Sequence, residues 1–118
     1  MKYGRHAFVR EALFGGRGRV WVWNLLDRHA GPFREVLACE MEPGGSVGPH
    51  VQVAYDEIVV FTEGTGVASV DGAPTDVGAG SVVWLPRGAT LALENRSTSN
   101  PLQYLIIKAA LQPNGAPS

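Results

Sequence analysis

The chain is interrupted every few residues. Fifteen glycines and eight prolines are spread through 118 residues as punctuation, not gathered into a linker. Between the breaks lie short segments rich in β-branched and aromatic residues. They are Arg19–Leu26, Phe33–Met41, Glu57–Gly64, Val67–Val70, Ser81–Pro86, Thr90–Asn95 and Leu102–Ala109. In Phe33–Met41 the residues Phe33, Glu35, Leu37, Cys39 and Met41 share one strand face, since side chains alternate along a strand. Asp71-Gly72 is a two-residue hairpin signal, because both central positions of that turn favour positive φ. No long helix is predicted. His6–Phe14 reads as a turn or two, or as an extra edge strand. Eight or more short strands with tight turns imply an all-β sandwich or barrel. The barrel is expected over residues 19–109, after an extension or edge strand over 1–18. The polar, Pro/Gly-rich end of the chain, within 110–118, is expected to fray.

Hydrophobic residues make up 45% of the chain, enough for the core of one domain. The formal net charge is −1, and the eight Arg and two Lys are scattered singly, so nucleic acid is not an expected partner. No apolar run approaches the ~20 residues of a membrane helix. The opening stretch MKYGRHAFVREALF carries charges throughout, which argues against a secretory signal peptide. One cysteine, Cys39, cannot form an internal disulfide and fits a reducing cytoplasm. By parity Cys39 falls with Leu37 and Met41 and is expected to be buried and inert.

The chemistry is concentrated in PGGSVGPHVQVAYDE, Pro43 to Glu57. Gly44, His50, Gln52, Glu57 and Gly64 stand at spacings that repeat a known pattern: Gly, five residues, His-x-His, three or four residues, Glu, six residues, Gly. Gly80, Pro86, Gly88, Leu91 and Asn95 match a second: Gly, five residues, Pro-x-Gly, two residues, His, three residues, Asn. The chain therefore resembles the cupin family, whose fold is a double-stranded β-helix, or jelly-roll, barrel. The likeness extends over roughly residues 19–109.

The resemblance implies a metal cup built from inward side chains. His50 and Gln52 point to one face of a strand, Glu57 begins the next strand, and Leu91 comes from a distant one. An imidazole and a carboxylate suit Fe, Mn, Ni, Zn or Cu. Two of the four ligand positions depart from the family. Gln52 replaces a histidine with a neutral, weaker amide ligand, and Leu91 cannot ligate. The metal candidates are His50, Gln52 and Glu57, and the site could also work without metal. Gly44, Gly64, Gly80, Gly88 and Pro86 are expected as turn residues, and Asn95 as a residue bonded to backbone. His6 and His29 are expected in solvent, with an N-terminal segment across the barrel mouth as the one way either could supply a missing ligand. The GGRG stretch, Gly15–Gly18, lacks the helix or Lys-Ser/Thr of a phosphate loop and reads as a turn.

Fold alone does not select a function. The resemblance implies a small organic ligand in the barrel. One expectation is an isomerase, cyclase or lyase using His50 and Glu57 as an acid/base pair, with or without a weakly held divalent ion. The other is a non-catalytic ligand-binding or regulatory module, suited by the apolar Leu91. A homodimer is expected as well, because VWVW in the first strand is apolar on both faces.

Overall fold

The computed structural model describes residues 7–28 and 30–110. The expectations for His6, His29 and the tail beyond residue 110 fall outside them. Ten strands form: β1 (Phe8–Glu11), β2 (Arg19–Asn24), β3 (Phe33–Met41), β4 (Ser46–Val51), β5 (Asp56–Glu63), β6 (Thr65–Val70), β7 (Ala73–Gly78), β8 (Val82–Leu85), β9 (Thr90–Glu94) and β10 (Leu102–Ala109). Among the described residues a single 3-10 turn, Leu13–Gly15, follows β1. The described part of that stretch, residues 7–14, thus takes part in both the edge strand and the turn that its sequence allowed.

The strands pair antiparallel in two sheets. One has the order β1-β2-β3-β10-β5-β8, the other β4-β9-β6-β7. Their inner faces meet in one core, with Met41, Val59, Phe61, Leu102 and Tyr104 from the larger sheet against Val47, Ala68, Val77, Leu91 and Leu93 from the smaller. This is the jelly-roll barrel. Strand alternation decides what points inward. On β5 it is Glu57, Val59 and Phe61, all fully or nearly fully buried. The β3 face expected from the sequence also points inward, with Met41 fully buried and Cys39 nearly so.

Two strands, β4 and β7, lie in SVGPHV and APTDVG, where Gly and Pro mask the alternation that signals a strand. Asp71 and Gly72 take φ of 50° and 82° and join β6 to β7, as their hairpin signal requires. Gly64 also has positive φ, and a Cβ there would collide with the Pro101 carbonyl, so no other residue fits that turn.

Asn95 is 1% exposed and ties three backbone segments together. Its Nδ2 donates to the Asn100 carbonyl at 2.9 Å and, more distantly, to those of Met41 and Glu42, while its Oδ1 accepts from the Ser97 N–H at 3.0 Å. It is a fold residue, as its place in the motif suggested. Asn95→Ala would strand these buried groups at a cost of about 2–3 kcal/mol. Calorimetry should show a melting temperature lower by roughly ten degrees. A shift under about two degrees would deny Asn95 this role.

Candidate functional site

Between the sheets lies a cavity of about 310 Å³, at the small end for organic-ligand sites. Its walls are mainly apolar, with Val20, Val22, Leu37, Val47, Leu93 and Ile106 among them. The polar lining includes His50 from β4, Glu57 from β5, Cys39 from β3 and Tyr104 from β10. Leu91 pairs with His50 across β4 and β9 and lines the same cavity. The motif positions 50, 57 and 91 therefore line one cavity.

Gln52 does something else. It is 7% exposed and sits behind Glu57. Its Oε1 accepts hydrogen bonds from the backbone N–H groups of Ala54 and Tyr55, both at 3.2 Å. Its Nε2 donates to Glu57 Oε1 at 2.8 Å. Turning the amide over would set its NH₂ against two N–H donors and its oxygen against a carboxylate oxygen, so this orientation is fixed by its neighbours. The one atom of Gln52 that could bind a metal is thus engaged with backbone.

Two polar atoms are left over. Among the described residues, Glu57 Oε2 and His50 Nδ1 are buried and have no hydrogen-bond partner. No three His, Cys, Asp or Glu side chains among those residues group as ligands for one ion. His50 and Glu57 alone offer fewer donors than the three or four protein ligands of typical transition-metal sites. In this arrangement the donor set does not fit a resident metal.

Cys39 and Tyr104 keep the cavity floor neutral. Burial pushes the Cys39 thiol up to about 12, and the nearby Glu57 charge adds to this, while Lys108 and a hydrogen bond with Tyr104 act the other way. Burial also holds the Tyr104 phenol well above its ordinary range, with smaller contributions from Cys39 and Glu57. Cys39 is buried, as its parity suggested, and it lines the cavity.

Among the cavity residues not singled out from the sequence, Phe14 and Lys108 stand out. Phe14 stacks on His50, with ring centroids 4.3 Å apart and planes 13° from parallel. It is carried by the Ala12–Gly18 strap, which passes so close to β4 that a Cβ at Gly48 would collide with the Phe14 carbonyl, and one at Gly16 with the Ser46 carbonyl. An N-terminal segment does therefore border the site, but it brings an aromatic ring. Lys108 also lines the cavity. It shares the inward parity of Tyr104 and Ile106 in LQYLIIKA, which was the available sequence signal.

The family profile of the cupin domain matches residues 37–108 of the chain. The chain is a cupin. Among solved structures this cupin is similar to a predicted oxalate decarboxylase from Thermotoga maritima, with 27% identity and a TM-score of 0.82 over 89% of this chain and 92% of that one. It is also similar to a cupin 2 conserved barrel domain protein from Salinispora arenicola, with 28% identity and a TM-score of 0.66 over 76% and 75% of the two chains. KdgF from a Halomonas species, at 10% identity and a TM-score of 0.68 over 82% and 84%, shares the fold. No curated protein matches.

If the scaffold retains the cupin ligand geometry, Gln52→His with Leu91→His should bind divalent metal at least about tenfold more tightly than the parent, roughly 1.4 kcal/mol. The Leu91 change buries a polar ring among alkyl groups and costs some stability. Titration calorimetry after chelator treatment is the check. Equal, weak binding in both proteins would mean that positions 52 and 91 do not converge on one ion.

Proposed function

We propose that this cupin binds a small, largely apolar organic molecule in its barrel and moves protons on it with Glu57 and His50, without a resident metal. The observation that carries this reading is Glu57 Oε2, a buried carboxylate oxygen without a partner on a residue that lines the cavity. A bare buried acceptor is costly, so its retention suits a site where a ligand supplies the missing bond. Gln52 holds the other oxygen and so orients the carboxylate. Phe14 lies against the imidazole of His50 and restrains its tilt.

The reaction class that suits such a pair is isomerisation, cyclisation or elimination, in which one group takes a proton and another returns one. Weakly acidic carbon sites beside a carbonyl are the natural substrates. The buried Leu91 favours a second reading, a module that grips an apolar ligand without reacting. Deuterium uptake from D₂O into a panel of small carbonyl compounds, followed by NMR, separates the two. Glu57→Gln keeps an acceptor for Gln52 and should lower the exchange rate by about 100-fold or more, with an unchanged melting temperature. The same rate in both proteins would remove Glu57 from the chemistry, and no exchange with any compound would favour the binding module.

We also propose a homodimer, but through a different surface from VWVW. Trp23 is 3% exposed and Val20 1%, so that strand is already largely covered. Among the exposed apolar residues, Val82 at 60% and Trp84 at 65% stand together on the edge strand β8. In register beside them on β5 stand Val60 and Ile58, which extend the patch. No helix of the described residues is long and apolar enough to cross a membrane. A buried lone cysteine suits a reducing compartment such as the cytoplasm. Sedimentation velocity at micromolar concentration should give a dimer for the parent and a monomer for Trp84→Lys. A monomeric parent would refute the pairing.

A further inference from the structure

Lysine is among the residues least often found facing a core, yet Lys108 lines the cavity. It sits on the central strand β10, with Glu35 opposite it on β3 and Glu57 opposite it on β5. All three side chains line the cavity, so a row of minus, plus, minus crosses its inner face. Exposure falls along this row, from 39% and 23% for the side chains of Glu35 and Lys108 to 2% for Glu57. The simplest pairing would join Lys108 to the more deeply buried carboxylate. Instead Lys108 Nζ lies 3.2 Å from Glu35 Oε1, and Glu57 Oε2 has no hydrogen-bond partner among the described residues. An ammonium has three donors, so Lys108 has donors to spare. The cavity therefore holds a free basic oxygen and a cation with unused N–H groups on adjacent strands. Both charges act on Cys39 in opposite senses, which puts them around the same part of the floor.

We propose that Lys108 is a catalytic residue of this site, the cation that stabilises the oxyanion formed when Glu57 removes a proton beside the carbonyl of a small enolisable ketone or ester. The inference rests on the reading of Glu57 as base. In the step, Glu57 Oε2 forms a bond to the proton as the C–H bond breaks. The released pair becomes a C=C bond, and the carbonyl π pair moves onto oxygen. The Lys108 ammonium donates hydrogen bonds to that oxygen and remains protonated. The proton then returns to carbon at another position or on another face, from Glu57 or through His50. Substrate and product are isomers, so no oxidant, reductant or co-reactant is consumed. A divalent ion would polarise the carbonyl in a metal-bound site. Here the ligands are missing at positions 52 and 91, and a fixed ammonium can do the same electrostatic work in a poorly hydrated cavity.

The test uses acetylacetone, a small β-diketone whose enolate has its own ultraviolet band, bound at one fixed pH by the full chain. The parent should bind the enolate form. Lys108→Met should bind it about tenfold or more less tightly, and Lys108→Arg should restore most of the affinity, since a hydrogen bond to a charged group is lost and regained. Glu35→Gln should bind it more tightly than the parent, because the competing partner of Lys108 loses its charge. A merely structural ion pair predicts only lost stability in that variant, and the arginine and glutamine variants keep the test open if Lys108→Met does not fold. Enolate binding unchanged in a folded Lys108→Met protein, or absent from the parent, would overturn the assignment. If binding follows Lys108 while deuterium exchange ignores Glu57, the oxyanion contact stands and the base fails. If exchange depends on Glu57 but the enolate binds equally with and without Lys108, the base stands and Lys108 falls.

Discussion

The site is organised by one buried amide. Gln52 is fastened on every side: its backbone N–H bonds to the Ala89 carbonyl, its backbone carbonyl accepts from Gly88, and its side-chain oxygen accepts from Ala54 and Tyr55. With those bonds made, its remaining polar direction is toward Glu57. The end of β4, the turn before β9 and the start of β5 thus converge on a single residue. A carboxylate held at one oxygen by a rigid donor cannot swing away, and its other oxygen is left buried without a partner among the described residues. A histidine at position 52 would have to make these backbone contacts through a ring with a different outline. Losing a ligand and gaining a loop clasp are, in this chain, the same substitution.

The rest of the cavity is arranged around that fixed group. Its near floor is neutral, because burial keeps Cys39 and Tyr104 protonated. Three of its charged groups form the row Glu35, Lys108 and Glu57 across adjacent strands, and Arg10 from β1 adds a fourth. Apart from Asn24 and His50, the rest of the lining is hydrocarbon. On the proposed reading, such a distribution would disfavour a highly polar ligand, which would lose its hydration to most of the lining, and favour one with a single polar locus.

Much of the fold was legible because it is set by local rules. Asp71-Gly72 and the glycines at 44, 64, 80 and 88, all with positive φ, mark turns that only a few residue types can make. With those turns fixed, parity places His50, Glu57, Leu91 and Cys39 in the cavity. The role of Gln52 was not legible, because spacing gives the direction of a side chain but not which end of its amide faces the metal position. Phe14 was hidden for another reason. Its place depends on a backbone contact between Gly16 and the strand carrying Gly48, thirty-two residues apart, and no pattern within either stretch announces it. Lys108 could have been found by the alternation that placed Tyr104, but a lone lysine at the end of an apolar strand reads as its solvent-exposed terminus.

The contact at Gly16 and Gly48 has a consequence for the start of the chain. Backbone packed this closely leaves no room for side chains between strap and strand, so the two can change only together. Phe8, Arg10, Leu13 and Phe14 all border the cavity from the first strand and the strap. The leading segment is therefore masonry of the chamber, not a porch in front of it. Trimming the chain to the span matched by the cupin profile would remove β1, β2 and the first four residues of β3, and with them one wall and part of the ceiling over His50.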